Sequence, residues 1–126
     1  MTMRPIAVFL LGMAFSVAAS ASYAVEIETA QGPVAIAQVP QRIAVYDIAA
    51  IDTLDRLGVP IAGVPDKVFL PRLEHVRSGA EVVGTLFEPD LEALNALEPD
   101  LVIVGGRSST KLDSVTRVAP AMDMTV

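Results

Sequence analysis

The chain has 126 residues, a net charge of −6 and no cysteine, so it is one domain at most and cannot be stapled by disulfides. The acidity argues against nucleic acid and against anionic membrane surfaces as partners. With one histidine and no cysteine, the chain cannot supply the three or four N/S ligands of a zinc site.

Met1–Ala24 reads as a secretory signal peptide. Arg4 precedes an apolar run from Ile6 to Val17, and small residues lead to Ser22-Tyr23-Ala24. The run is shorter than the roughly 18–20 residues a membrane span requires, and the small residues behind it suit cleavage after Ala24, or else after Ala21. The protein would then lie free in the periplasm, without an acylated cysteine. Removing this segment takes away Arg4 alone among the charged residues, so the remainder, 25–126, is more acidic still.

Val25–Thr29 (VEIET) and Val34–Ala37 (VAIA) flank AQGP as two short strands about a turn. Ile43–Tyr46 is a continuous apolar run of the kind buried on both faces of a sheet. Asp47 caps a helix over Ile48–Leu57, with Ile51, Leu54 and Leu57 on its buried face and Gly58 as its stop. Ile61–Val64 is a short strand, and Pro65–Ala80 reads as an irregular connection. Glu81–Gly84 is another strand, running into the loop Thr85-Leu86-Phe87-Glu88. Pro89 and Pro99 frame a helix whose stripe is Leu91, Leu94 and Leu97. Leu101–Val104 is an inner strand. Ser108 or Ser109 caps a helix to about Val118, and Met122–Val126 is a last strand.

Strands alternating with helices of about ten residues predict an α/β fold, a Rossmann-like parallel sheet with helices on both faces. Ligands in such sheets bind outside the carboxyl ends of the strands. Tyr46-Asp47, Thr85-Leu86-Phe87 and Gly105-Gly106-Arg107 are expected to converge there. A chain ending on a strand with no closing helix reads as part of something larger.

GGRSST, Gly105–Thr110, lacks the spaced glycines and the Gly-Lys of a nucleotide loop, and no dinucleotide fingerprint follows the first inner strand. Arg107 is a permanently charged fork suited to paired oxygens. It either faces a pocket, stands in solvent, or pairs with a carboxylate such as Asp47. Glu88, Asp90 and Glu92 either serve the first turn of their helix or form a docking surface for a basic partner. His75 reads as a solvated loop residue, and no hydrolase triad can be assembled around it. Phe69, Phe87 and Tyr46 are too few and scattered for a nucleic-acid stacking surface.

PQRIAVYDIAAIDTLDRLGVPIAGVP and VGTLFEPDLEALNALEPDLVIVGGRSS together resemble, in order, two stretches of the periplasmic substrate-binding proteins of iron-siderophore and cobalamin ABC importers. Within that family the likeness is to binders of ferric catecholates. It runs over Val25–Val126 and implies the N-terminal lobe of a two-lobe, non-enzymatic protein, here truncated, that holds its ligand between lobes. It implies a ferric siderophore as transported ligand, with no permanently bound cofactor and no directly bound metal. The implied partner is an inner-membrane permease, and the protein itself is a monomer. Gly106-Arg107 matches the pair that meets the anionic complex, with Ser108, Tyr46, Thr85 and Leu86 near it by position. Glu92, then Glu88, inherit the permease-docking role. The residues themselves leave two other readings open: a secreted α/β enzyme with catalytic residues downstream, and a small flavodoxin-like interaction domain.

Overall fold

The computed structural model describes residues 24–126; the signal-peptide reading of Met1–Ala24 otherwise lies outside the described residues. Five strands form one parallel sheet in the order β5-β4-β3-β6-β7. They are β3 Ile43–Val45, β4 Gly63–Val64, β5 Glu81–Val82, β6 Leu101–Val104 and β7 Ala121–Asp123. The two central strands, β3 and β6, are buried throughout, as their unbroken apolar runs require. Their side chains alternate between the faces. Ile43, Val45, Leu101 and Ile103 pack on one side with helix α1 (Ile48–Arg56) and its Ile51. Ala44, Val102 and Val104 pack on the other with Leu94 and Leu97 of α3 (Leu91–Leu97) and Val115 of α4 (Leu112–Thr116).

Both main helices begin at an aspartate. The Asp47 carboxylate accepts the Ala50 amide at 2.8 Å, and Asp90 accepts the amides of Glu92 and Ala93 at 3.1 and 3.0 Å. Each satisfies N–H groups that a helix start would otherwise leave unbonded. Helix α3 thus starts at Leu91 rather than at Pro89, which stands just ahead of the cap.

Leu57 and Leu91, expected on the buried faces of α1 and α3, are exposed instead, and three further expectations are corrected. Pro65–Ala80 is not all irregular: Pro71–Leu73 forms a 3-10 turn and α2 follows over Glu74–Gly79. Val68 and Leu73 are fully buried, anchoring this stretch to the core. Ser108 and Ser109 cap no α-helix, because Gly106–Lys111 is itself a 3-10 turn ahead of the short α4. The last strand is Ala121–Asp123 and stops where the Asp123 carboxylate turns back to accept the Thr125 amide at 3.0 Å.

The hairpin of β1 (Val25–Thr29) and β2 (Gly32–Ile36) is antiparallel and stands outside the sheet. Ile27, Val34 and Ile36 lay its apolar face on the α1 side of the core. Its turn is tied to β7: the Ala30 amide donates to the Asp123 carbonyl at 2.9 Å, and Gln31 donates to the Asp123 carboxylate at 3.2 Å. Asp123 is only 1% exposed. Burial alone would raise its pKa, but hydrogen bonds from the Thr125 hydroxyl and amide and from Gln31 outweigh it and hold the group below its ordinary value.

Asp123→Ala is therefore expected to cost about 1.5–3 kcal/mol at neutral pH, by removing part-buried hydrogen bonds to a charged group. A carboxylate with a lowered folded pKa stabilises fully above its unfolded value of about 3.9 and loses that contribution as pH falls through the folded value. The gap between the thermal melts of the two proteins should accordingly narrow as pH falls below about 3.9. A constant gap from neutral to acid would refute the account.

Candidate functional site

The strand order reverses between β3 and β6, since β4 and β5 continue to one side and β7 to the other. At such a switch point the two following loops leave in opposite directions and open a crevice at the strands' carboxyl ends. The residues there are Tyr46-Asp47 after β3 and Gly105-Gly106-Arg107 after β6.

One hydroxyl ties the crevice floor together. Ser108 Oγ donates to the Tyr46 carbonyl at 2.8 Å and accepts the Gly105 amide at 3.1 Å, joining the ends of the two central strands. Gly105 lies so close to Asp47 that an added Cβ would meet its carboxylate carbon at 3.1 Å. Gly106 has a φ of +51°, a left-handed conformation that glycine adopts readily, and its amide donates to Thr125 Oγ1 at 2.9 Å. The Ser108 amide bonds the Gly105 carbonyl at 3.1 Å. A phosphate cradle needs several backbone amides pointing outward. Here those of Gly105, Gly106 and Ser108 are spent inside the protein, which agrees with excluding a nucleotide loop.

A cleft of about 370 Å³ opens above this floor, lined by Asp47, Ile48, Phe69, Leu70, Leu86, Gly105, Gly106 and Arg107. Arg107 is exposed and enters no ion pair among the described residues. Asp47 has its carboxylate on the α1 amide instead. The pairing of Arg107 with Asp47, one of the alternatives, is thus not what the structure contains. The cleft presents one available guanidinium, one carboxylate already hydrogen-bonded, and a largely apolar wall. Such a surface suits an anion with an apolar or aromatic body.

Of the six residues expected to meet a ligand, Arg107, Gly106 and Leu86 line the cleft. Tyr46 and Ser108 do not, and that expectation is corrected: both are fully buried. The Tyr46 hydroxyl donates to the Val83 carbonyl at 2.7 Å, and burial, with Asp90 adding to it, pushes its pKa far up. It is a core phenol bracing the Val83–Gly84 bend. Thr85 lies outside the cleft lining as well. Its hydroxyl accepts the amides of Phe87 and Glu88 at 3.2 and 3.0 Å and shapes their turn. The expectation missed Ile48, Leu70 and, above all, Phe69. Phe69 stands exposed between buried Val68 and half-buried Leu70, an arrangement only the structure shows.

A second depression of about 440 Å³ adjoins the first through Asp47 and Gly106, between the hairpin, α1 and the end of β7. Its walls include Ile27, Leu54, Ile103, Met122 and Met124, and none of its lining residues is cationic. It lacks the charge that distinguishes the Arg107 cleft.

Glu88 and Glu92 are both exposed. Glu88 is bridged to Lys111 Nζ at 2.9 Å, whereas Glu92, in the first turn of α3, enters no ion pair among the described residues. His75 is solvent-exposed as expected, but it lies in α2 rather than in a loop and pairs with Asp55 at 2.9 Å on the α1–α2 surface, away from the cleft, and the Asp55 hydrogen bond raises its pKa. Among the described residues no group of three His, Cys, Asp or Glu could hold a metal ion, and no helix is long and apolar enough to cross a membrane.

No family model matches the chain. It is 34% identical to the petrobactin-binding protein YclQ of Bacillus subtilis over 86 residues, 66% of this chain and 27% of that protein. It is also 34% identical to the ferric-anguibactin-binding protein FatB of Vibrio anguillarum over 99 residues, 76% of this chain and 30% of that protein. Among solved structures, the iron uptake ABC transporter substrate-binding protein PiuA of Streptococcus pneumoniae superposes with a TM-score of 0.74 and 35% identity, over 79% of this chain and 36% of that one. The chain therefore spans about a third of the length of the relatives it matches.

Proposed function

The chain is homologous to part of the siderophore-binding proteins of iron-uptake ABC transporters, and from that premise we propose that it forms the N-terminal lobe of such a protein and binds a ferric siderophore of the catecholate type. The observation that carries this reading is Arg107, which enters no ion pair among the described residues, in a largely apolar cleft at the sheet's switch point. A ferric tris-catecholate is a multiply charged anion with an aromatic exterior, so a fixed cation beside an apolar wall matches both of its properties. The site works by binding rather than by reaction. The hydroxyls bonded beneath it, those of Ser108 and Thr125, are engaged with backbone amides or carbonyls, and the histidine lies elsewhere.

In this reading the protein works outside the cytoplasmic membrane, in the periplasm, as a monomer that carries its ligand to a permease. Glu92 is the docking residue, because its carboxylate is exposed and unbridged, and Glu88 is second because Lys111 already holds it.

The test tolerates weak binding. Ferric tris(2,3-dihydroxybenzoate) is titrated to about 1 mM into isotope-labelled protein, and the paramagnetic broadening of amide signals is mapped. Broadening concentrated at Leu86, Gly105, Gly106 and Arg107 is expected. Broadening centred on the Met122–Met124 depression, or none at all, would overturn the proposal.

A further inference from the structure

Phe69 is the residue in the cleft that the fold itself does not account for. Its φ is +60°, in the left-handed region that a bulky L-residue avoids and that glycine or asparagine enters at little cost. Its neighbours impose the conformation. Val68 before it is fully buried, Leu70 after it packs against the same core, and the 3-10 turn begins at Pro71. With both flanks pinned inward, residue 69 is turned outward, and its side chain stays 58% exposed.

A phenylalanine there is unfavourable twice over, since its backbone is strained and its ring is left largely in water. Packing recovers little of either penalty. Strained residues with no stabilising return are characteristic of places where a ligand is met, and Phe69 lines the same cleft as Arg107. Charge alone discriminates poorly here, because the Asp47 carboxylate lines the cleft too and offsets part of the guanidinium's pull on any anion. What separates one ferric chelate from another in this cleft must then be the chelate's surface. An aromatic ring carries a positive edge and a negative face, and pairs well edge-to-face or offset with electron-rich rings. Aliphatic carboxylate chelators offer it no such partner.

Resting on the ferric-chelate reading above, we propose that Phe69 is the specificity-determining residue of the cleft, selecting chelates that present aromatic rings over chelates built from aliphatic carboxylates. Arg107 supplies attraction to either class, and Phe69 tells them apart.

The experiment titrates the chain and its variants with two probes, ferric tris(2,3-dihydroxybenzoate) and ferric dicitrate, alongside thermal melts. Phe69→Gly is expected to weaken the aromatic probe about tenfold and to leave ferric dicitrate within about twofold. It should also raise the melting temperature by about 2–4 °C, because glycine relieves the left-handed backbone. Stabilisation combined with selective loss of binding is a signature that a merely structural residue would not give. Phe69→Leu keeps apolar bulk without the ring and should lose most of the same preference. If it binds as the wild type does, or if Phe69→Gly weakens both probes equally or neither, the selectivity role is wrong. The wider reading would survive that result provided Arg107→Ala still weakens both probes. Failure of the wild-type chain to bind either probe would sink both.

Discussion

Arg107→Ala is expected to weaken ferric tris(2,3-dihydroxybenzoate) binding by about 10- to 100-fold while leaving the melting temperature within about 1 °C. A charge-assisted hydrogen bond to an anionic ligand is worth about 1.5–3 kcal/mol, which converts to that range. The fold should not notice, because the side chain is exposed and enters no ion pair among the described residues. Arg107→Lys separates charge from geometry: the ammonium keeps the charge but not the planar fork, so affinity should recover only in part. The remaining attraction should also fall more steeply with salt, as expected of a point charge in an open cleft. An alanine variant that binds as tightly as the wild type would remove Arg107 from the site and with it the main physical support for an anionic ligand. Affinity and melting temperature falling together would instead mean that the loop after β6 had been disturbed.

The largest loss of stability is expected from Gly84→Ala. Gly84 has a φ of +111°, and a Cβ placed there would lie 2.4 Å from the Asp90 nitrogen and 2.5 Å from the Glu88 oxygen. Both are backbone atoms and cannot rotate out of the way. The clash adds to the strain of a left-handed alanine, and about 2–4 kcal/mol follows, or a drop of about 10 °C or more for a domain of this size. The bend is also what sets up the neighbouring loop. Gly84 bridges to Pro89, its carbonyl accepts the Asp66 amide at 2.8 Å, and the Thr85 amide bonds the Glu88 carbonyl at 2.9 Å. Moving this bend displaces Leu86 from the cleft wall and Asp90 from the α3 N-terminus. Chelate affinity should therefore fall with stability, unlike the Arg107 variant. A melting temperature within about 2 °C of the wild type would show that the loop yields more easily than this geometry allows.

These two positions illustrate what could be read from the amino acids. Arg107 could be placed because a long apolar strand ending in two glycines locates a sheet's carboxyl edge, and the edge locates the site. The inner strands β3 and β6 and two of the three α3 stripe residues, Leu94 and Leu97, were legible for the same reason, through apolar spacing, whereas Leu91 of the same stripe is exposed. Asp47 was legible as a cap because it stands directly before an apolar helical pattern. Helix α2 was not, since Glu-His-Val-Arg-Ser-Gly offers one apolar side chain and ends in glycine, and its support comes from Leu73 and Val76 meeting a core built elsewhere. Tyr46 and Ser108 were assigned to the rim because adjacency in sequence does not say on which side of a strand end a side chain lies. Tyr46 falls on the Val83 face and Ser108 beneath the loop. Phe69 escaped for a subtler reason. Nothing local marks a phenylalanine as left-handed, and only the inward anchoring of both its neighbours turns it out.

The seam between the hairpin and β7 bears on how the protein comes into being. Gln31 and Asp123 are 92 residues apart along the chain, so the hairpin strands can form their own ladder and reach the α1 side of the core early, but the bonds that tie their turn to β7 must await that strand. Contacts of such separation carry a loop-closure cost that is met only after the intervening sheet has formed. The hairpin's turn is therefore fixed only after the ribosome completes β7, and Asp123, as the acceptor for both Ala30 and Gln31, is what fixes it.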